Sequence, residues 1–477
     1  MNLVKQTFLR MLLAGAVCGF VVAASVVRAD SGESRPPNIV FIFADDWGWG
    51  DLSCHGHPWI KTPNIDRLAR EGTDFQRFTV ASGVCSPSRT AVMTGRFPAQ
   101  FNIDGHFAEV SGNARRNMPD WLSASVPLLP RILSSAGYAT AHYGKWHLAN
   151  DMIPDSPPPS AYGYDDYGAF NCSGEQMPVH EDSARAVAFI EKCAAKGQPF
   201  FINLWMHEPH TPFHSVPKYE WRFRDMPDRA ERIYASVLSH ADDRIGEVLA
   251  ALDRLGLADN TLVIFSSDNG PARGHGSEEL ALMYDSATGA GWGLGAAKGS
   301  TAGRKGWKAS LFEGGINVPF IARWPGKIPA GRVDSKSLIS SVDLLPTFCK
   351  IANAPLPAGF APDGVSQVET LMGNSSPVRA KPLFWKIGAD RKPNPEAPNH
   401  WASYAVVHGT WKLLADEDAK RVELYDVKTD PMEKNDRAAS SPEAVQELLS
   451  LLEKWKTSLP SHPTGDVFSK LREKQSS

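Results

Sequence analysis

The sequence lacks an excess of charge of one sign and a dense set of cysteines. Its 477 residues carry 50 Lys and Arg against 53 Asp and Glu, a formal net charge of -3. This near balance gives no basic surface of the kind that binds nucleic acid or anionic membranes. Six cysteines in so long a chain exclude a small disulfide-stapled scaffold. The 42% content of hydrophobic residues excludes a disordered or fibrous chain.

The only long apolar run lies at the N-terminus. Lys5 and Arg10 precede the apolar residues 11–27, and small residues follow up to Ala29. This order predicts a secretory signal peptide over residues 1–29 and no stable membrane insertion after its cleavage. An uncleaved anchor is the alternative, because the run is only marginally long enough to span a bilayer. We therefore expect an exported protein, periplasmic or extracellular, or lysosomal in a eukaryotic cell.

Alternating strands and helices predict an α/β fold. Four apolar segments predict buried strands that each run into a polar cluster: residues 38–43, 139–143, 199–205 and 261–266. Amphipathic helices are predicted to begin at Pro63, near Asp182 and near Arg229. This pattern is typical of a mainly parallel sheet sandwiched by helices. Ligands bind beyond the carboxyl ends of such strands, so the four polar clusters are expected to meet at one site.

The pattern changes past about residue 376. Three short runs predict strands, at 401–408, 411–414 and 422–425, and an amphipathic helix is predicted from Pro442 to about Trp455. We therefore expect a main domain over residues 30–375 and a smaller α+β C-terminal subdomain over residues 376–477. At about 150 residues per domain, the chain length agrees with two or three domains.

Two of the polar clusters offer oxygen ligands for a metal. Asp45-Asp46 follows the first predicted strand and Asp268-Asn269 follows the last. Such hard oxygen donors suit calcium or magnesium rather than zinc. The segment His207-Glu208-Pro209-His210 is too short for the zinc motif His-Glu-x-x-His and contains a proline. Its histidines are therefore expected to contact an anion or a leaving group, and whether both do so is open.

The segment over residues 84–96, VCSPSRTAVMTGR, resembles the motif of the type I sulfatases. In that family the cysteine, here Cys85, is oxidised to formylglycine by a formylglycine-generating maturation enzyme that reads Pro87 and Arg89. Further matches follow in the order of the family: Asp45-Asp46, Gly144-Lys145-Trp146-His147, Pro209-His210-Thr211-Pro212, Asp268-Asn269-Gly270, and Lys308 before Glu313-Gly314-Gly315. The resemblance covers the exported chain and is strongest to the branch of N-acetylgalactosamine-6-sulfatases and related arylsulfatases.

The resemblance implies an alkaline-phosphatase-like fold and a set of ligands and roles. One calcium ion, in preference to magnesium, would be held by Asp45, Asp46, Asp268, Asn269 and the modified Cys85. Arg89 would stabilise the formylglycine hydrate, and His147 would orient it and assist its deprotonation. Lys145 and Lys308 would clamp the sulfate. His210 would contact the sulfate near the leaving group, with His210 or Lys308 as the proton donor.

The expected activity is hydrolysis of sulfate monoesters, most of all on a sulfated carbohydrate, with aryl sulfates as a second class. Trp47, Trp49, Trp292 and Trp307 lie near the predicted loops and are candidates for stacking on sugar rings. Two alternatives stay open. One is a phosphonate or phosphate monoester hydrolase of the same superfamily. The other is a non-catalytic protein that binds sulfated glycans and keeps Lys145, Lys308 and His210 without turnover.

Overall fold

The computed structural model describes residues 35–150, 152–170, 181–211, 213–215, 217–273, 283–285, 290–293, 297–374, 379–388 and 398–472. The predicted signal peptide lies outside these residues. Among the residues that are described, the helices lack the length or the apolar content that crossing a bilayer requires.

The strands are β1 Asn38–Ala44, β2 Thr73–Phe75, β3 Phe78–Thr79, β4 Ala139–Lys145, β5 Asp166–Phe170, β6 Phe200–Trp205, β7 Phe213–Ser215, β8 Thr261–Ser267, β9 Met283–Asp285, β10 Ala290–Gly293, β11 Asn317–Val318, β12 Phe320–Arg323, β13 Arg332–Asp334, β14 Ile339–Ser340, β15 Leu383–Lys386, β16 Tyr404–His408, β17 Trp411–Ala415 and β18 Val422–Asp426. The α-helices are α1 Pro63–Glu71, α2 Cys85–Thr94, α3 Val110–Arg115, α4 Leu129–Ser135, α5 Asp182–Lys196, α6 Pro217–Glu220, α7 Arg229–Arg254, α8 Glu313–Ile316, α9 Leu344–Ile351, α10 Val368–Leu371 and α11 Pro442–Ser458.

The main sheet has eight strands in the order β13-β2-β12-β8-β1-β6-β4-β5. The four strands predicted from apolar runs are β1, β4, β6 and β8, and they lie side by side in parallel. The prediction of a mainly parallel sheet is therefore confirmed. One strand departs from it, because β12 pairs antiparallel with both β8 and β2. Its four residues are too few to show a periodicity in the sequence.

Helices cover both faces of this sheet because its central strands are apolar on both faces. Along β1, Ile39, Phe41 and Phe43 belong to one hydrophobic cluster, which also contains side chains of α2, α4 and α9. Val40 and Ile42 belong to a second cluster, which contains side chains of α1, α5 and α7. Successive side chains of a strand point to opposite faces, so each central strand joins the two cores.

A smaller antiparallel sheet, β15-β16-β17-β18, forms the C-terminal part of the fold, and α11 packs against it through Leu448, Leu452 and Trp455. The predicted α+β character is confirmed. The strand predicted from residue 401 begins at Tyr404 instead. β15 is not among the predicted strands, because it is a run of only four residues. The domain boundary at residue 375 stays a prediction.

The C-terminal sheet holds the loop of residues 305–312 through ion pairs at both ends of the loop. The Lys412 side chain on β17 is fully buried, and its Nζ lies 2.8 Å from Glu313 Oε1 and 2.9 Å from Glu433 Oε1. Glu433 Oε2 also accepts a 2.6 Å hydrogen bond from the backbone N–H of Glu313. At the start of the loop, Lys305 Nζ lies 3.0 Å from Glu423 Oε2. Both ends of the loop are thus fastened to the same sheet.

Replacing Lys412 with methionine is expected to destabilise the protein. The two glutamates would keep their burial and lose their shared cation, which typically costs about 3–5 kcal/mol. Urea unfolding of Lys412→Met should show this as a lower midpoint with an unchanged slope. Lys420→Met is the matched control, because the Lys420 side chain is 80% exposed. Equal midpoints for the two variants would contradict a stabilising role for the Lys412 ion pairs.

Candidate active site

The four polar clusters lie at the carboxyl ends of neighbouring strands. Asp45 and Asp46 follow β1, Asp268 and Asn269 follow β8, and Lys145 is the last residue of β4. His207 and His210 follow β6, whose neighbours are β1 and β4. Parallel strands present their carboxyl ends along one edge of the sheet, so the order of the strands brings these side chains together.

Cys85 is the first residue of α2 and faces this edge. The residue is 2% exposed, and its Sγ lies 3.5 Å from Asp45 Oδ1 and 3.5 Å from Lys145 Nζ. Burial, together with the charge of Asp45, raises the pKa of the Cys85 thiol above its usual value. A buried protonated thiol is a poor nucleophile. The unmodified cysteine is therefore badly suited to attack an anionic ester, although its position is central.

Arg89 lies one turn after Cys85 and ties the site together. The residue is fully buried, and its Nε and Nη2 donate hydrogen bonds of 3.0 and 2.6 Å to Asp268 Oδ2. Its Nη1 donates a 3.2 Å bond to the carbonyl of Lys145, and its guanidinium carbon lies 5.0 Å from the centroid of the Trp205 ring. Arg89 therefore links α2 to the ends of β4 and β8.

The carboxylates of Asp45, Asp46 and Asp268 are buried and closely packed. Asp268 Oδ1 accepts a 3.2 Å bond from the backbone N–H of Asp46. Lys145 Nζ contacts Asp45 Oδ2, and Lys308 Nζ lies 2.6 Å from Asp46 Oδ1. Each of these acidic groups is thus matched by a cation, with Arg89 serving Asp268.

Burial and the neighbouring cations shift the pKa values of the acidic groups in opposite directions. For Asp45, burial favours the neutral form, but Lys145 and His210 outweigh it and hold the pKa well below its usual range. For Asp268, burial and the charge of Asp45 raise the pKa to about 7. The charge of Asp45 thus disfavours ionisation of Asp268, and a further cation in the cluster would reduce this repulsion.

The side chains fit a divalent cation. One ligand atom from each of Asp45, Asp46, Cys85 and His210 lies within 4.8 Å of the others. Asn269 Nδ2 donates a 2.6 Å bond to Asp46 Oδ1. Asn269 Oδ1 is buried and accepts no hydrogen bond from the described part of the chain. A buried amide oxygen beside carboxylates is a typical ligand of calcium or magnesium.

The histidines differ in their access to the cluster. His147 is 8% exposed, and its Nε2 lies 3.1 Å from the carbonyl of Phe107. Burial, followed by the charge of Lys145, lowers the pKa of His147 well below its usual value. The His210 side chain is 20% exposed, with Nε2 3.8 Å from Asp46 Oδ2. His207 is fully buried, with its ring centroid 5.4 Å from that of His210.

The tryptophans predicted near the site differ in burial and in their contacts. The expectation for Trp47 is wrong, because this residue is fully buried and its ring packs edge-on against Phe265 at 5.3 Å. Trp49 is stacked on the His55 ring at 3.9 Å, and the Arg304 guanidinium lies 3.6 Å from its centroid. The Trp307 ring centroid lies 4.6 Å from that of His400. The side chain of Trp292 lies outside the described residues.

The loop of residues 104–108 also contacts the site, and no sequence motif predicts it. The backbone N–H of Phe107 donates a 3.0 Å bond to Ser86 Oγ, beside Cys85. The carbonyl of Phe107 lies 3.1 Å from His147 Nε2 and accepts a 3.2 Å bond from Asn150 Nδ2. These contacts use the main chain of Phe107, and main-chain contacts leave no motif in the sequence.

Two family models match the chain. The model described as Sulfatase matches residues 37–354, and that described as N-sulphoglucosamine sulphohydrolase, C-terminal, matches residues 303–458. The N-acetylgalactosamine-6-O-sulfatase of Bacteroides thetaiotaomicron is 28% identical over 90% of this chain and 95% of its own. The human N-acetylgalactosamine-6-sulfatase is 32% identical over 75% of this chain and 70% of its own.

Solved structures agree with the fold and the family. The crystal structure of Ps i-CgsB in complex with k-i-k-neocarrahexaose has a TM-score of 0.74 at 26% identity, over 92% of this chain and 96% of its own. The phosphonate monoester hydrolase of Agrobacterium radiobacter has a TM-score of 0.58 at 20% identity, over 88% of this chain and 95% of its own, and that likeness concerns the fold alone. Because a family model covers two thirds of its length, this chain belongs to the sulfatase family and is a sulfuric ester hydrolase.

Proposed function

We propose that the protein is exported and removes sulfate from a sulfated carbohydrate through a formylglycine at position 85. The observation that carries this proposal is the position of Cys85. Its side chain lies at the buried start of α2, 3.5 Å from both Asp45 and Lys145, within a Cys-x-Pro-x-Arg motif. Burial raises the pKa of the thiol and so disfavours the nucleophilic thiolate, which supports conversion of this side chain to another nucleophile.

The proposed substrate class is a 6-sulfated amino sugar. The bacterial and human relatives are both named for sulfate at position 6 of N-acetylgalactosamine. The predicted signal peptide favours an extracellular polymer over a cytosolic metabolite. A glycan ending in 6-sulfated N-acetylgalactosamine is therefore the first substrate to assay, and aryl sulfates are the simpler probe.

Position 85 and the acidic cluster provide the attacking group. A formylglycine hydrate carries two hydroxyls on one carbon. One oxygen would attack sulfur and break its bond to the ester oxygen, and the alcohol would leave with a proton from an acidic side chain. Loss of the second hydroxyl's proton, assisted by His147, would then re-form the aldehyde and release sulfate, and water would restore the hydrate. A serine at this position would stay trapped as a stable sulfate ester. Calcium bound by Asp45, Asp46, Asp268, Asn269 and residue 85 would supply Lewis-acid activation of that hydroxyl. The maturation enzyme that makes formylglycine is the implied partner.

The basic side chains handle the charge of the sulfate and of the leaving group. Lys145 pairs with Asp45 and Lys308 with Asp46, and both would neutralise the non-bridging oxygens of the sulfate. Arg89 bonds to Asp268 and to the Lys145 carbonyl, and so fixes the start of α2, which carries residue 85, against the ends of β8 and β4. His147 would orient the hydrate. His210 is the better candidate for the proton donor, because its Nε2 lies 3.8 Å from Asp46 Oδ2, whereas Lys308 Nζ is held by Asp46 Oδ1 at 2.6 Å.

The identity of residue 85 can be read from the mass of one peptide. In protein purified from the native host, the tryptic peptide of residues 78–89 should be lighter by the exchange of a CH₂SH group for CHO. The same protein should release sulfate, and Cys85→Ala should release none. Cys54→Ala is the control and should retain activity, because Cys54 is exposed and lies away from the cluster.

Unmodified Cys85 in active native protein would contradict the formylglycine. A faster rate on a phosphonate monoester than on the sulfate monoester of the same alcohol would move the function to the alternative hydrolase. Binding of a sulfated glycan without any release of sulfate would favour the non-catalytic alternative.

Calcium is expected to stabilise the folded protein. A ligand that binds only the native state stabilises it by about 2.7 kcal/mol at one hundred times its dissociation constant. Adding calcium to chelator-treated protein should therefore raise the melting temperature, and an equal concentration of magnesium should raise it less. Asp46→Ala should remove the calcium effect, whereas Asp418→Ala, at a side chain that is 64% exposed, should keep it. An equal calcium effect in both variants would place the ion elsewhere.

The role of His210 can be separated by the leaving group. His210→Gln should lower kcat on a sugar 6-sulfate about 100-fold or more, because the alkoxide of a sugar needs a proton to depart. The loss on 4-nitrophenyl sulfate should be much smaller, because 4-nitrophenolate departs without one. His207→Gln is the companion variant, and its fully buried position predicts equal losses on both substrates. A leaving-group dependence in His207→Gln alone would assign the donor to His207.

A further inference from the structure

A cleft opens beside the reaction centre, outside the cluster of metal and sulfate ligands. Its volume is about 370 Å³, and its lining begins at Val84, the residue before Cys85. That volume falls in the range of small-ligand sites, about 300–1,000 Å³. It is lined by residues of the 104–108 loop and of α3, and by Ile387 and Gly388 just after β15, where the N–H of Gly388 donates a 3.0 Å bond to the carbonyl of Asp104. We call it the 104–116 cleft.

The 104–116 cleft is rigidly connected to the reaction centre. Phe107, which lies between the lining residues His106 and Ala108, is bonded through its main chain to Ser86, next to Cys85, and to His147. The ring centroid of His106, which lines the cleft, lies 6.3 Å from that of His147. A sugar whose sulfate sits at residue 85 therefore has its neighbour within reach of this cleft.

Two glycines leave space in the cleft, and an ion pair holds the lining residue Asp104 in place. A Cβ atom on Gly105 would lie 2.8 Å from Arg116 Nη1, and one on Gly388 would lie 2.9 Å from Asp104 Oδ1. Asp104 Oδ2 pairs with Lys386 Nζ at 2.9 Å, and the Asp104 side chain is 9% exposed. This carboxylate is held in place and can accept hydrogen bonds from the hydroxyls of a sugar.

Two guanidinium groups, those of Arg115 and Arg116, line the cleft. The Arg115 side chain is 69% exposed, and its Nη2 lies 3.6 Å from Glu109 Oε1. Arg116 is anchored by hydrogen bonds of 3.1 Å to the carbonyl of Gly112 and to Asn113 Oδ1. A guanidinium presents paired N–H groups that match a carboxylate or a sulfate. The exposed Arg115 gains most from such an anion, because its own ion pair is long and lies at the surface.

We propose that the 104–116 cleft binds a second anionic group of the same glycan, carried by the sugar next to the one that loses its sulfate. Arg115, supported by Arg116, takes a carboxylate of a uronic acid or a further sulfate, and Asp104 accepts hydrogen bonds from the hydroxyls of that sugar. This subsite rests on the proposed sulfatase activity and extends it. The enzyme then selects polyanionic chains over isolated sulfated sugars.

The test compares substrates that differ only in the second sugar. The three disaccharides carry 6-sulfated N-acetylgalactosamine linked to glucuronic acid, to glucose, or to a sulfated glucose. The small probe is 4-nitrophenyl sulfate, which has no second sugar. The double variant Arg115→Gln/Arg116→Gln is compared with Arg70→Gln, an exposed arginine of α1 outside the cleft. Binding of the intact disaccharides is also measured calorimetrically on Cys85→Ala protein, with and without the double substitution.

The double variant should lose at least about tenfold in kcat/KM on one of the anionic disaccharides relative to its loss on 4-nitrophenyl sulfate and on the glucose disaccharide. The anionic disaccharide that the wild-type protein prefers shows whether the subsite binds a carboxylate or a sulfate. Arg70→Gln should keep the wild-type ratios. Equal losses on all substrates, or no loss on any, would overturn the subsite.

Calorimetry separates this subsite from the catalytic proposal. Tighter binding of an anionic disaccharide than of the glucose disaccharide to Cys85→Ala protein, lost in the double variant, supports the subsite even where wild-type protein releases no sulfate. Equal binding of all three disaccharides would overturn it even where wild-type protein is an active sulfatase.

Discussion

Asp45, Asp46 and Asp268 lie side by side at the ends of β1 and β8 with almost no exposure to water. Buried carboxylates at such distances stay ionised only if cations neutralise them, because desolvation and mutual repulsion both favour protonation. Arg89, Lys145 and Lys308 supply that charge, and each comes from a different part of the chain. The positions of α2, β4 and the 305–312 loop therefore all depend on this one charge balance.

The same balance explains why the site is prepared before any ligand arrives. Arg89 is held by Asp268 and by a main-chain carbonyl, and it packs over Trp205, so it cannot swing away from residue 85. The carbonyl of Lys308 lies 3.0 Å from His400 Nε2, which adds to the fastening of its loop by the C-terminal sheet. Donors that need no reorganisation during the reaction stabilise developing charge most effectively.

Much of this arrangement can be predicted from the sequence, because buried strands and the residues that follow them are local patterns. The apolar run before Asp45 and the Cys-x-Pro-x-Arg string need no knowledge of tertiary contacts. What could not be predicted depends on contacts between distant segments. The antiparallel β12, the main-chain bonds of Phe107 and the burial of Trp47 leave no trace in a local window. The same holds for Lys412. Lysine is usually exposed to solvent, but Lys412 is fully buried in the structure.

The C-terminal sheet contributes to two features at once: Gly388 lines the 104–116 cleft and Lys412 anchors the loop that carries Lys308. These two contacts limit the modularity of the chain. If the C-terminal subdomain were exchanged for that of a relative, the shape of the cleft and the position of Lys308 would change together. A chimera made to alter glycan preference would therefore also alter the rate of turnover, unless residues 305–316 were transferred with the subdomain. Residues 305–316 and the C-terminal subdomain should therefore be exchanged together when this protein is engineered.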